Sequence, residues 1–156
     1  MMGAGDWELG IGGSVDDGIA DSSVEYASST PVRSFRDLEV WKDGVALAEL
    51  IYRETRTFPK AETFGLVSQL RRAAVSVPSN IAEGWGRNSR KDYLRVLHIA
   101  RGSLFEVATQ VEIAQRVGLL DSQAAERIET RGTICGKRLS RLIASLKRPQ
   151  SPTPNP

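Results

Sequence analysis

The chain has 156 residues, one cysteine and a formal net charge of +2. This length is typical of one domain with terminal extensions, and it can bury a hydrophobic core without disulfides or metal ions. A single cysteine excludes an internal disulfide framework and favours a reducing compartment, so we expect a cytoplasmic protein. We also expect no membrane span and no secretory signal, because no suitable apolar run is present.

Charge is distributed unevenly along the chain. Residues 1–32 contain six acidic residues and neither lysine nor arginine, whereas residues 33–156 contain all 21 basic residues and 13 acidic ones, a formal charge of +8. The first segment is rich in Gly, Ser and Asp, which predicts a disordered acidic tail. We expect no specific role for this tail. The alternatives are competition with anionic ligands for the basic part of the chain and an upstream extension from a misplaced start codon.

The first of four predicted helices spans about Phe35 to Thr57. Ser34 is its predicted N-cap, with Asp37 as the capping-box partner. Phe58-Pro59 ends it, because the residue before a proline resists the helical conformation. Spacings of three and four residues predict the core face: Leu38, Trp41, Val45, Ala48, Tyr52 and Thr55.

The second helix is predicted from about Glu62 to Arg87, with Pro78 inside it. A proline within an unsupported helix costs roughly 3 kcal/mol, because it removes a backbone hydrogen bond and clashes with the preceding turn. We therefore expect tertiary packing to support this segment. The predicted core face is Leu66, Leu70, Ala73, Val77 and Ile81. A polar stripe beside it comprises Gln69, Arg72, Ser76, Asn80, Glu83 and Arg87.

The third and fourth helices have clear start signals. Ser89 and Asp92 resemble a capping box, Gly118 is a predicted C′ residue, and Asp121 is the next N-cap. The predicted core faces are Tyr93, Leu97, Ala100, Leu104, Val107, Val111 and Ala114, then Ala124, Ile128, Cys135, Leu139, Leu142 and Leu146. Four amphipathic helices predict an all-α, up-down-up-down bundle over residues 33–148. Four prolines predict a disordered tail over residues 149–156.

Residue types that build most catalytic and metal sites are scarce. His98 is the only histidine and Cys135 the only cysteine, so one chain cannot form a His/Cys metal cluster. No Glu precedes a His by three residues, as bundle di-metal sites require. We expect no enzymatic activity, no cofactor and no metal site. An enzyme that uses Glu83 or Glu106 as an acid or base is the weaker alternative.

Basic residues carry the more informative chemistry. Guanidinium groups donate paired hydrogen bonds to phosphate, and a helix N-terminus also attracts phosphate. The predicted nucleic-acid-binding residues are Arg71, Arg87, Arg90, Lys91 and Arg95. Trp85, between two glycines, either stacks on a base or packs against a neighbouring helix or subunit. A solvated charged surface without a ligand is the alternative interpretation of these cations.

A second polar set is predicted to be structural. Asn80, Glu83, Arg101 and Glu106 border the apolar faces, where an arginine usually pairs with a carboxylate. We expect these four residues to set helix register or a subunit contact rather than to bind a ligand.

Several motifs resemble the four-helix bundle proteins encoded in 23S rRNA intervening sequences. The motifs are DLEVW (37–41), Ile51-Tyr52, Phe58-Pro59, GLVSQLRRA (65–73), SNIAEG (79–84) with Arg87, and ARGSL (100–104) with Glu106. The resemblance implies a left-handed four-helix bundle that assembles as a homopentamer. It also points to relatives that accompany diversity-generating retroelements, where a basic pentamer binds the reverse transcriptase and nucleic acid. It implies no catalytic residues.

The predicted function is therefore a non-enzymatic, homo-oligomeric bundle that binds RNA or DNA through phosphate contacts. A protein–protein adaptor, or an assembly ring that docks a polymerase-like partner, is the alternative.

Overall fold

The computed structural model describes residues 31–149, and this part of the chain is all-α, as predicted. Its four long helices, numbered α1 to α4, span Glu39–Glu54, Leu66–Trp85, Arg90–Arg116 and Ser122–Lys147. Two short 3-10 turns, Phe35–Asp37 and Lys60–Glu62, precede α1 and α2. The predicted tails lie outside the described residues, apart from positions 31, 32 and 149.

Local hydrogen bonds make the first two helices start later than predicted. The Ser34–Asp37 capping box is present, but it caps the first 3-10 turn, and α1 begins only after Leu38. The second 3-10 turn separates α2 from the predicted start at Glu62. The Glu62 carboxylate instead accepts the backbone N–H of Leu66 at 3.1 Å, so it satisfies one of the first donors of α2.

The start and end signals of the later helices are confirmed. The side chains of Ser89 and Asp121 accept the backbone N–H groups of Asp92 and Ala124, so they cap α3 and α4. After α3, Gly118 adopts a φ of 80°, a left-handed conformation that favours glycine. Gly118 after α3 and Asp121 before α4 therefore produce the tight connection between these two helices.

Adjacent helices of the bundle are antiparallel. Each helix packs against two neighbours, in the order α1, α2, α3, α4 and back to α1. The side-chain contacts that show the direction are Asp43–Arg138 and Glu54–Arg127 between α1 and α4, and Gln69–Gln110 and Ser76–Ser103 between α2 and α3. Within each pair, residue numbers rise along one helix while they fall along its neighbour. The left-handed sense of the bundle stays a prediction.

The inward faces of all four helices form one hydrophobic core. Its most deeply buried large side chains are Leu47, Ile51, Leu70, Ile81, Leu97, Leu104, Ile128 and Leu139. The core faces predicted for α2, α3 and α4 are confirmed, with Leu66, Tyr93, Leu142 and Leu146 partly buried at the edges. The Cys135 thiol is buried in this core, and the burial raises its pKa to about 12. Within residues 31–149, no helix has both the length and the apolarity that a membrane span needs.

The core face predicted for α1 is confirmed only in part: Thr55 is buried and Leu38, Trp41 and Ala48 pack against the core, but two of the six predicted residues are exposed. Val45 and Tyr52 are 39% and 43% exposed, whereas Leu47 and Ile51 are fully buried. Two apolar stripes lie side by side on this helix, because Val40, Leu47 and Ile51 also recur with helical spacing. Periodicity alone does not choose between the stripes. The buried stripe is the one that faces both α2 and α4.

Pro78 is supported by a close contact between α1 and α2. It lies inside α2 and is buried. Gly44 of α1 lies against its ring: a Cβ added at Gly44 would be 3.2 Å from the Pro78 Cβ. The missing side chain at position 44 therefore lets the two helices approach closely. This packing supplies the tertiary support that a central proline requires.

Gly84→Ala is expected to destabilise the protein by about 1–2 kcal/mol, because the new Cβ would lie 2.6 Å from a ring carbon of Tyr93. Gly102→Ala is the matched control on a helix. Its Cβ would have no neighbouring atom within 4 Å, so the better helix propensity of alanine should stabilise the protein by about 0.5–1 kcal/mol. Urea denaturation followed by circular dichroism measures both changes. Equal effects of the two substitutions would contradict the close contact between α2 and the start of α3.

Candidate nucleic-acid interface

The antiparallel order of the helices brings the start of α1, the end of α2, the start of α3 and the end of α4 to the same end of the bundle. Two contacts mark the middle of the long axis: Gly44 with Pro78, and Ser76 with Ser103. They divide the described residues into two halves. Residues 31–45, 78–101 and 136–149 form one half, and residues 46–77 and 102–135 form the other.

The two halves differ sharply in charge. The first, which we call the basic half, carries 13 basic and 5 acidic residues, a formal charge of +8. The second, the balanced half, carries 8 basic and 8 acidic residues and no net charge. The entire excess positive charge of the bundle therefore lies in one half.

The first turn of α3 and the end of α4 meet at the tip of the basic half. The Arg90 Nη1 donates a hydrogen bond to the backbone carbonyl of Arg148 at 3.2 Å. Burial lowers the pKa of His98, and the nearby cations Arg101 and Lys147 lower it further. Cations of α3 and of the end of α4 therefore lie close together at this tip. In the sequence, 58 positions separate Arg90 from Arg148.

Four of the five predicted nucleic-acid-binding residues share this half. Arg87, Arg90, Lys91 and Arg95 are all exposed. Arg87 forms an ion pair with Glu83, one turn earlier on α2. Within residues 31–149, no ion pair neutralises the other three. Their charges are available to an anionic ligand beside the N-terminal backbone N–H groups of α3, which also attract anions.

Arg71 is separated from the other four residues. It lies near the start of α2, in the balanced half, and the 14 helical positions from Arg71 to Trp85 place it about 21 Å along the axis from the end of α2, which Arg87 follows. Its guanidinium carbon is 4.4 Å from the centre of the Tyr52 ring, and its Nε donates to the Thr55 hydroxyl at 3.0 Å. The geometry of Arg71 is that of a side chain that joins α1 to α2.

The cations of α4 are missing from the predicted set, and the structure adds them to this surface. Exposed basic residues of the basic half on or just after α4 are Lys137, Arg138, Arg141, Lys147 and Arg148. Arg138 donates to both carboxylate oxygens of Asp43, at 2.8 and 2.7 Å. Among the described residues, the other four have no ion-pair partner. The helix order predicted from the sequence already implied that α4 ends beside the start of α3.

Trp85 ends α2 in the basic half, and 36% of its surface is exposed. The exposed part can accept a stacked base, while the covered part packs against the bundle. Its position therefore fits both predicted roles.

The groove between α2 and α3 holds the centre of the predicted polar stripe. The hydroxyl oxygens of Ser76 and Ser103 lie 2.8 Å apart, and the Asn80 Nδ2 donates to the backbone oxygen and the hydroxyl of Ser76 at 2.7 and 2.9 Å. Further along the groove, Gln110 Nε2 lies 3.5 Å from Gln69 Oε1. These uncharged contacts link α2 to α3 at a fixed register.

The four residues of the predicted structural set do not form one network. Glu83 pairs with Arg87, Arg101 is half-buried, and Glu106 is exposed at the α2–α3 groove. Within residues 31–149, no hydrogen bond joins Asn80, Glu83, Arg101 and Glu106 to one another. Only Asn80 contributes directly to the serine contact between the helices. Whether the set serves a subunit contact stays a prediction.

The local electrostatics of the balanced half oppose anion binding near the start of α4. Partial burial raises the pKa of Glu129, and the neighbouring carboxylates Glu112 and Glu126 raise it further. Carboxylates therefore lie close together here, in a half that has no net positive charge to attract phosphate. In the part of the chain that the structure describes, no group of three or more His, Cys, Asp or Glu residues is placed to hold a metal ion.

Known proteins match both the sequence and the fold. The family model of the 23S rRNA-intervening sequence protein matches residues 36–141. A protein of unknown function from the S23 ribosomal protein family of Bacteroides thetaiotaomicron VPI-5482 has a similar crystal structure, with a TM-score of 0.63 and 24% identity over 67% of this chain and 95% of its own. This second likeness shows the fold alone. None of the curated proteins matches the chain. Because the family model covers more than half of the sequence, the chain belongs to the 23S rRNA-intervening sequence protein family.

Proposed function

We propose that this protein is a non-enzymatic, homo-oligomeric bundle that binds RNA or DNA through its basic half. The observation that carries the proposal is the placement of the whole +8 charge in that half. Such a surface attracts phosphate by counterion release, which makes binding strong at low salt and largely independent of base sequence.

The central contact set combines α3 with α4. Its members are Arg90, Lys91, Arg95, Lys147 and Arg148, all exposed and without an ion pair among the described residues. The hydrogen bond between Arg90 and Arg148 holds the two groups of cations together. Arginine forks can each donate two bonds to a phosphate, and Trp85 at the same end can stack on an unpaired base.

Charge reversal in the central set should abolish most of the binding. The variant Arg90→Glu/Lys91→Glu is expected to bind a fluorescent single-stranded oligonucleotide at least tenfold more weakly. It should also reduce the slope of log K against log salt by about 0.7 for each phosphate that the variant no longer neutralises. Fluorescence anisotropy at several salt concentrations measures both quantities.

The matched control for that variant is Arg56→Glu/Arg131→Glu, which changes the net charge equally but alters two exposed residues of the balanced half. It should keep most of the affinity. Equal losses in both variants would mean that net charge, and not the basic half, determines binding. Salt-insensitive binding by the unaltered protein, or none, would refute the proposal.

Arg71 is expected to stabilise the fold and not to bind nucleic acid. Arg71→Met removes the hydrogen bond to Thr55 and the stacking on Tyr52, which should lower the free energy of unfolding by about 1–2 kcal/mol. Urea denaturation measures this decrease, while oligonucleotide affinity should stay unchanged. An affinity decrease as large as that of the Arg90→Glu/Lys91→Glu variant would place Arg71 in the binding surface after all.

The homo-oligomer is supported by apolar side chains that are exposed on two different helices of the bundle. Val45 and Tyr52 lie on α1, and Ile99 and Ile113 on α3, each of the last two 46% exposed. The helices α1 and α3 do not neighbour each other around the bundle. Two different apolar patches that pair with each other make a head-to-tail interface, the kind that closes into rings. A ring, a pentamer by the family resemblance, would repeat the basic half and add avidity.

The variant Ile99→Asp/Ile113→Asp is expected to convert this oligomer into a 17.1 kDa monomer, because it places two charges in the proposed contact. Light scattering after size-exclusion chromatography measures the mass. Gln123→Asp/Thr130→Asp, at two exposed polar positions of α4, adds the same charge and should leave the oligomer intact. A monomeric unaltered protein would contradict this part of the proposal.

A protein–protein adaptor is the second candidate function. Phe64, which is 96% exposed between the second 3-10 turn and α2, favours it, because an isolated exposed aromatic side chain often anchors a protein contact. The partner would be a polymerase-like protein such as a reverse transcriptase. An association with that partner that persists after nuclease treatment would favour the adaptor, since a nucleic-acid bridge would be destroyed.

A further inference from the structure

The acidic segment of the chain is attached at the basic half. The described structure begins at residue 31, and the chain enters α1 through the 3-10 turn Phe35–Asp37, which packs on α1 and α2. The backbone N–H of Arg33 donates to the Asp37 carboxylate at 2.9 Å, so Arg33 is joined to the 3-10 turn that packs on the bundle. Residues 1–30 therefore extend from the end where the unpaired cations lie.

We propose that residues 1–30 dock on the basic half of their own chain and compete there with nucleic acid. The competition rests on the proposed function, whereas the contact between the two parts of the chain does not. The acidic residues of the segment are Asp6, Glu8, Asp16, Asp17, Asp21 and Glu25.

Charge complementarity selects this surface over the rest of the bundle. The segment carries six carboxylates and no lysine or arginine, and the basic half carries a formal charge of +8. The balanced half has no net charge to attract the segment. Cations of the basic half without an ion pair among the described residues are Arg33, Arg36, Arg90, Lys91, Arg95, Arg101, Lys137, Arg141, Lys147 and Arg148.

The length of the segment is sufficient for this contact. Its carboxylates lie between 8 and 27 residues from Arg33, and flexible chains of those lengths span about 15–30 Å. Neighbouring helix axes lie about 10 Å apart, so the diagonal of the end face is only about 14 Å. Every acidic residue can therefore reach the start of α3 and the end of α4. Attachment to the same chain also gives the segment a high effective concentration there.

Carbodiimide cross-linking of the full chain tests the contact without nucleic acid. The reagent joins a carboxylate to a lysine amine only when the two groups touch, with loss of water. We expect mass spectrometry to find links from residues 6–25 to Lys91 and Lys147, and few to Lys60 in the balanced half. These links should weaken at about 0.5 M salt, where the Debye length falls to about 4 Å.

Three outcomes would overturn the contact: no links from the segment, equal linking to Lys60, or links that join different chains when ¹⁵N-labelled and unlabelled protein are mixed. The last outcome would mean that a neighbouring copy supplies the segment.

Neutralisation of all six acids in the full chain, by Asp→Asn and Glu→Gln, tests the competition. If the segment occupies the basic half for about nine-tenths of the time, the neutralised chain should bind a single-stranded oligonucleotide about tenfold more tightly, because apparent affinity scales with the open fraction. Glu126→Gln/Glu129→Gln, in the balanced half, is the control for net charge, and its effect per removed acid should be much smaller.

The results separate the two proposals. Unchanged affinity after neutralisation, or an equal effect per acid in the control, would refute competition by the segment. Cross-links to Lys91 and Lys147 without any oligonucleotide binding would refute the proposed function but leave the docking contact standing.

Discussion

The antiparallel packing of the four helices determines where the charges of this protein meet. The start of α3 and the end of α4 are far apart in the sequence, but the Arg90–Arg148 hydrogen bond joins them in space. The same packing sends Arg71 and the carboxylates around Glu129 to the opposite end. A chain whose overall net charge is only +2 thereby acquires one strongly basic end. Without this arrangement the cations would be dispersed along four helices.

Close contacts at two glycines pack the helices tightly, one in the middle of the bundle and one near the basic end. Gly44 lies against Pro78, and Gly84 lies against the ring of Tyr93, so α1, α2 and the start of α3 approach closely at these points. Rigid helices hold cations at fixed separations, which lowers the entropic cost of binding a polyanion. The proline that appears unfavourable in the sequence is thus part of a packed contact that supports the basic half.

Much of the fold was predictable, because the residues that mark helix ends and the apolar periodicity both indicate the helices and buried faces that the structure has. Ser89, Asp121 and Gly118 mark helix ends, and the core faces of α2 to α4 follow the apolar period. The register of α1 was not predictable, because Tyr52 and Ile51 both belong to apolar stripes and only the neighbouring helices decide which is buried.

The sequence directly predicts those residues of the candidate site that are close together in it, whereas the place of the α4 cations follows only from the predicted helix order. Arg87, Arg90, Lys91 and Arg95 share one helix junction, so the sequence places them together. Arg71 is separated from them by the length of α2, and its pairing with Tyr52 and Thr55 depends on how α1 packs. The contribution of Arg148 depends on a long-range contact that a charge pattern does not reveal.

Lysine acylation footprinting tests the central claim most directly. The protein is treated with an amine-reactive reagent with and without a saturating single-stranded oligonucleotide, and mass spectrometry measures the rate at each lysine. Lys91 and Lys147 report on the basic half, and Lys60 reports on the balanced half in the same sample. Selective protection of Lys91 and Lys147 is predicted. Equal protection of Lys60, or no protection at Lys91 and Lys147 while the oligonucleotide is bound, would contradict it.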